Sequence, residues 1–345
     1  MSVPAGRIVE RLGYKKGMVS GFALAGVGAL LFFPASVFHQ YSLFLAALFV
    51  LAMGIVLLQV AANPYVTVLG PPETASSRFT LIQGVGSVGT TVAPLFGAYF
   101  ILSRLQESGT SGNAVSAPYV GIGIFLFVIA LVIARLSLPA VESERQQITG
   151  NALPQRGSIF RFRNFNFGLV GIFMYVGAEV AIGTFLTNYI ADTLHVEEHI
   201  ANKYLALYWG GMLAGRLVGS LVLKTVKPPV VLSVVAVAAI MLMVISISTG
   251  GFIAVWSMIA VGLCNSVMFA VIFSLSVRGL GDYTIRASGW LSTAIVGGAV
   301  IPYLQGLIRD TYPWEVAFIL PMVCYGYIVF YGMNGYKSGM KASNK

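Results

Sequence analysis

Apolar residues fall in long continuous runs separated by short polar stretches, at about 17–35, 42–70, 78–103, 116–138, 165–190, 201–222, 228–248, 252–277, 284–309 and 313–333. A helix that crosses a bilayer needs about 20 apolar residues. A β-barrel would instead show segments of about ten residues with alternating polarity. The pattern therefore predicts an all-α integral membrane protein with ten transmembrane helices.

The basic residues orient these helices, because Lys and Arg accumulate on cytoplasmic loops. With an inner N-terminus, 18 of the 21 Lys and Arg residues fall on inner segments and only Arg104, Lys203 and Arg309 on outer ones. Both termini are expected to be cytoplasmic. The net charge of +9 is thus explained by membrane orientation, and no basic stripe suggests nucleic acid. Only 10% of residues are charged and 57% are hydrophobic, with a mean hydropathy of +0.84, which excludes a disordered chain and argues against an ordinary soluble enzyme. Cys264 and Cys324 lie inside apolar runs and form no disulfide framework.

A polar connection at about 139–164 splits the helices four and six. It predicts an N-terminal half over 1–138, a cytoplasmic linker over 139–164 and a six-helix C-terminal half over 165–345. An internal repeat supports this division. Gly6-Arg-Ile-Val-Glu10-Arg11-Leu-Gly13 is echoed by Gly215-Arg216-Leu-Val-Gly219-Ser, read as a second inner helix junction. Parallel repeats of this kind mark the two halves of major facilitator transporters. Two helices lead up to the second copy and none to the first, so the first half is expected to lack its first two helices.

Gly6, Glu10, Arg11 and Gly13 resemble the gating-loop motif of the major facilitator superfamily, with Arg216 in the second copy. The chain is expected to begin in this charged loop. Within the spans, polar residues are few. Gln59 and Asn63 lie four apart on one helix face, with Pro64 next in sequence. That proline frees a carbonyl one turn upstream and predicts a broken helix lining a cavity. Glu179 is the only carboxylate deep inside any run, about 14 residues from the inner end of its helix and 11 from the outer. An intramembrane acid costs about 2.5–3.5 kcal/mol even on the mild insertion scale and is a functional hypothesis by default. Asn265 stands at a similar midplane depth.

Gln59, Glu179 and Asn265, with Tyr175 and Phe269 nearby, suit a sugar, whose hydroxyls need donors and acceptors and whose CH faces suit aromatic rings. Gln83, Asn188 and Gln305, like Asn63, lie nearer helix ends and serve equally well as interhelical hydrogen-bonding groups. Gly84-Val-Gly86-Ser-Val-Gly89 matches a dinucleotide pattern but sits in an apolar run without a preceding strand, so it reads as helix packing. His195-Val-Glu-Glu-His199 matches a zinc-protease pattern in a short outer loop with no third ligand in sight. No metal or cofactor is expected, and no enzymatic activity.

The run Ala61-Ala62-Asn63-Pro64-Tyr65 with Ala75-Ser-Ser-Arg78, together with Tyr175-Val-Gly-Ala-Glu179, Asn265-Ser266 and Gly297-Gly-Ala-Val-Ile-Pro302, resembles the fucose–galactose–glucose:proton symporter family, closest to its glucose/galactose transporter branch. The resemblance implies a multi-pass protein of the bacterial inner membrane that takes up a hexose with a coupling cation, proton or sodium, by alternating access. A small-molecule sugar, the cation and the lipid bilayer are then its partners, and a monomer is the expected state. Family members have twelve helices, and the likeness begins after their second. Their helix-four carboxylate falls on Gln59, which cannot carry a proton. Glu179 is left as the proton-coupling candidate. The other readings are a transporter-fold sugar sensor and an inactive, N-terminally truncated transporter.

Overall fold

The computed structural model describes residues 1–97, 111–139 and 158–337. Among them every regular element is helical. Nine helical stretches of the described residues are long and apolar enough to cross a membrane. Each matches one expected span. The remaining one, 78–103, coincides with α5 (Ala75–Gly97), and its last residues lie outside the described part. Residues 140–157 of the expected linker at 139–164 also lie outside it, and its described end holds a 3-10 turn at Ile159–Arg161 and the first residues of the helix that starts at Arg163.

The first correction comes at the start of the chain, where a loop was expected. Ser2–Leu12 is a helix, α1, which buries Ser2, Ala5, Gly6 and Val9. That spacing is one face of a 3.6-residue period, with Arg7 and Arg11 on the exposed side. The charges misled because they decorate an amphipathic helix. Gly13 ends it with φ of 82°, a conformation that glycine adopts without strain.

Two compact units make up the chain. One comprises Met1–Leu69, Val88–Arg156 and Asp282–Thr293, and the other Gly70–Ser87, Gly157–Gly281 and Ala294–Lys345. In the first unit α2 (Tyr14–Leu30) and α3 (Phe32–Phe38) run on to α4 (Tyr41–Val68), with α6 (Ser111–Arg135) packed on α2. A Cβ on Gly28 of α2 would collide with the backbone of Leu51, and one on Gly54 of α4 with that of Ala25. Small residues therefore allow the two backbones to touch, which is how helices associate where no hydrophobic force drives them together. Toward the α1 end, Val9, Tyr14, Leu57, Val60, Ala61 and Tyr65 form the apolar core, with the Tyr14 and Tyr65 rings 5.5 Å apart.

In the second unit α7 (Arg163–Leu194) is the central helix. Around it pack α8 (Glu198–Thr225), α10 (Gly251–Asn265), α11 (Met268–Val277), α13 (Gly297–Thr311) and α15 (Ile319–Phe330). Outside these lies α9 (Pro228–Ser248). The remaining helices are α12 (Thr284–Ala294), which belongs almost wholly to the first unit, and the short α14 (Trp314–Ala317). The Asn164 amide donates to the carbonyls of Leu275, Ser276 and Arg278 at 3.1, 3.1 and 3.0 Å, closing the C-terminal end of α11. Carbonyls at such an end have no helical partner of their own.

Candidate functional site

The break predicted at Pro64 does not occur: α4 runs unbroken through it from Tyr41 to Val68. A proline removes one donor, and a long apolar helix keeps its course around it when its neighbours hold it. An irregular turn instead separates α10 from α11 at Ser266 and Val267, whose backbones stay right-handed. Asparagine and serine side chains compete for nearby backbone groups and weaken a helix interior. The Ser266 hydroxyl does so directly, donating to the Leu263 carbonyl at 2.6 Å.

Asn265 is the hub beside this turn. Its side-chain nitrogen donates to the Tyr208 hydroxyl at 2.9 Å, and its side-chain oxygen accepts from Tyr325 at 2.7 Å. Its backbone carbonyl accepts from Tyr175 at 2.9 Å. Tyr208 in turn donates to the carbonyl of Glu179 at 3.3 Å. Asn265, Tyr175, Tyr208 and Tyr325 are all fully buried. Four helices, α7, α8, α10 and α15, thus meet in one polar network within the second unit.

Glu179 stands at its margin, half-buried. Its side chain shares the Tyr175 hydroxyl, and the Arg216 guanidinium supplies the positive charge acting on it. Arg216 Nε is 3.4 Å from the Ser266 carbonyl, and Nη1 donates to the Ser87 hydroxyl. This corrects its assignment to an inner helix junction. Arg216 lies within α8, nine residues before Thr225. The repeat located the motif, but the helix continues past it because Leu217–Leu223 is as apolar as what precedes.

Of the other sequence candidates, Gln305 on α13 is fully buried, and neither amide atom has a partner among the described residues. Gln83 is half-buried on α5, its carbonyl accepting from Ser87 at 2.8 Å. Asn188, exposed and nine residues beyond Glu179, donates to Glu198 at 3.3 Å. Gln59 is exposed and Asn63 half-buried, both on α4 in the first unit. The Phe269 ring lies 6.4 Å from Tyr175, half-buried, and continues to Phe79 at 6.1 Å. Gly84 packs toward Arg216 and Leu217, whereas a Cβ on Gly86 or Gly89 would meet nothing within 4 Å among the described residues. His195 ends α7 with φ of 53°, and His199 pairs with Glu197 at 3.0 Å on the surface.

The gating motif acquires a partner that the sequence reading counted only as an inner-face charge. Glu10 on α1 receives Arg286 of α12: Nη2 is 3.0 Å from Oε1 and 3.2 Å from Oε2, and Nε 3.4 Å from Oε2. Close approach makes this possible, since a Cβ on Gly289 would stand 2.9 Å from the Ser2 carbonyl and one on Gly6 3.5 Å from the Gly289 Cα. Tyr175 is the one network tyrosine that the sequence singles out, as an aromatic beside the polar midplane residues. Nothing in the local sequence marks Arg286, Tyr208 or Tyr325, and the last two read as ordinary aromatic residues of apolar helices.

The profile of the Major Facilitator Superfamily matches residues 1–301. A "Glucose/galactose transporter" of Brucella abortus biovar 1 (strain 9-941) is 45% identical over 342 residues, covering 98% of this chain and 82% of the relative. The "L-fucose-proton symporter" of Escherichia coli (strain K12) is 30% identical over 353 residues, covering 95% of this chain and 80% of the relative. The crystal structure of an E. coli fucose:proton symporter superposes with a TM-score of 0.88 at 28% identity, covering 96% of this chain and 86% of that one.

Proposed function

Because this chain belongs to the Major Facilitator Superfamily, and within it to the branch of glucose/galactose transporters and fucose:proton symporters, we propose that it carries a hexose across the membrane together with a proton, by alternating access. Its multiple apolar helices and bacterial relatives make it a multi-pass protein of the inner membrane. Glucose and galactose are the sugars for which the Brucella abortus relative is named. We further propose that it works as a monomer with its helices in lipid.

One observation carries the mechanism. Glu179, an acid within a membrane span, shares through its side chain the Tyr175 hydroxyl, which donates to the Asn265 carbonyl beside the irregular turn between α10 and α11. Its backbone carbonyl accepts from Tyr208. Ionisable groups inside a membrane mark ion pathways, and discontinuous helices mark substrate and ion sites. Glu179 takes the role of proton carrier, which the amide Gln59 cannot fill. Gln83 and Gln305 in the second unit offer amides for sugar hydroxyls, with Asn188 a further amide toward the outer end, and Gln59 and Asn63 are the amide candidates of the first unit. Asn265 acts through the tyrosines it fixes, one bonded to its amide nitrogen and one to its amide oxygen, and keeps a second N–H for the sugar. Glu10, Arg11, Gly6 and Gly13 serve at the inner gate with Arg286.

The test is uptake of labelled glucose and galactose into proteoliposomes with an inward proton gradient. The wild-type chain concentrates the sugar, and Glu179→Gln does not. Exchange of labelled for unlabelled sugar also distinguishes a carrier from a sensor, which binds sugar without moving it.

A further inference from the structure

Trp209 is 45% exposed although it lies deep in a membrane span, eleven residues from the first residue of α8 and sixteen from the last. Eleven residues are about 16 Å of helix. Tryptophans that anchor a span stand at the interfaces, nearer a helix end than this. Nor is this the lipid side of α8. Residues seven apart share a side of a helix. Trp209 therefore shares its side with Arg216, whose guanidinium reaches the Ser266 carbonyl and the Ser87 hydroxyl. Charged side chains within a span face the bundle interior or a water-filled cavity. Exposed Leu207 and Val218 lie on about the opposite side of the helix.

The indole lies against α7 where that helix has no side chain. A Cβ on Gly183 would stand 2.9 Å from Trp209 Cζ2 and 3.4 Å from Cη2. Tyr208, the preceding residue, is fully buried, and its ring meets the indole in a T-shape with centroids 5.2 Å apart. Gly183 is one turn of α7 beyond Glu179 and one turn before Thr187. The Thr187 hydroxyl donates to the side-chain oxygen of Asn202 at 3.4 Å. Asn202 is seven residues before Trp209, on the same side of α8. A half-open aromatic ring thus has polar side chains on both sides of it along α7: Thr187 and Asn202 toward the outer end, Glu179 toward the inner.

A pyranose has the matching chemistry. Its CH groups form apolar faces, and its hydroxyls project from the rim. Ligand sites combine aromatic surface with a few placed polar groups in this way. We propose that Trp209 is the platform of the sugar site: a CH face of the hexose lies on the indole, with hydroxyls reaching Thr187 and Asn202 on the outer side and Glu179 on the inner. The ring selects a pyranose, and the polar groups fix its orientation. This deepens the reading of the chain as a hexose carrier and rests on it.

The experiment is equilibrium binding of labelled glucose and galactose to the purified full chain, with thermal melting to identify folded variants. Trp209→Phe keeps an aromatic face and is expected to bind within about threefold of wild type, whereas Trp209→Leu fills space without that face and is expected to bind about tenfold more weakly. Wild-type affinity in folded Trp209→Leu overturns the proposal. Indole fluorescence gives a second readout. Saturating sugar is expected to shield wild-type emission from acrylamide quenching, and Trp209→Phe, which retains Trp256, Trp290 and Trp314, is expected to lose that protection. Protection that is missing in wild type, or that survives in Trp209→Phe, overturns the platform, and this readout decides if Trp209→Leu unfolds. A wild-type chain that binds neither sugar overturns the underlying reading as a hexose carrier.

Discussion

Arg286 and Glu10, 276 residues apart in sequence, meet as a fork, with Nη2 within 3.0 and 3.2 Å of the two carboxylate oxygens. The pair is partly shielded, the side chains being 34% and 20% exposed. It joins α1 to α12 at the point where Gly6 and Gly289 bring the helices together. A fork between guanidinium and carboxylate has a direction that a point charge lacks. Arg286→Lys is therefore expected to be a poor substitute. Arg286→Ala and Glu10→Ala should each lower transport, and a double-mutant cycle on thermal stability should give a coupling of about 1–3 kcal/mol. A coupling near zero would show that the contact contributes nothing.

Asn265→Ala removes a donor and an acceptor at once and leaves the Tyr208 and Tyr325 hydroxyls buried without it. Tyr208 keeps the Glu179 carbonyl, and the orphaned Tyr325 hydroxyl costs about 1–3 kcal/mol. The variant should melt well below wild type, and Tyr325→Phe, which removes one of the two bonds, should fall between. Equal melting of all three proteins would contradict the hub.

Gln305 gives the opposite signature. Its fully buried amide gains no stability from a partner among the described residues. Gln305→Leu fills similar volume without a desolvated amide. Its melting temperature should equal or exceed that of wild type, while sugar affinity falls by about tenfold, the value of one good hydrogen bond. Unchanged affinity would remove Gln305 from the sugar site.

Gly54→Val should fail differently, through packing. The added side chain meets the backbone around Ala25 on α2, which no rotamer change relieves. Overpacking of this kind costs about 1–3 kcal/mol or more. Loss of folded protein on size-exclusion chromatography is the expected result, and a wild-type yield and melting temperature would refute it.

Hydropathy and charge placed the spans because a bilayer enforces both. The same simplicity hid the helix ends. Arg216 lies inside α8 although arginines usually stand at helix junctions, and α1 is a helix although its charges are dense. In each case the apolar face, Val9 with Ala5 or the run after Leu217, decides the structure. Glu179 and Asn265 were legible because polarity is rare at that depth. Tyr208 and Tyr325 were not, and Tyr175 only as an aromatic face, because a tyrosine is apolar over most of its length and its hydroxyl partner is set by tertiary contact. Pro64 pointed to a break, yet α4 runs through it, and the irregular turn lies at Ser266 and Val267, where the Ser266 side chain competes for the backbone.

Sugar and proton movement measured together test the central claim most directly. Proteoliposomes in weakly buffered medium receive glucose or galactose, and external pH is recorded as labelled sugar enters. The account predicts alkalinisation in step with uptake in the wild-type chain and none in Glu179→Gln. Sugar uptake with no change of pH in the wild type would contradict it.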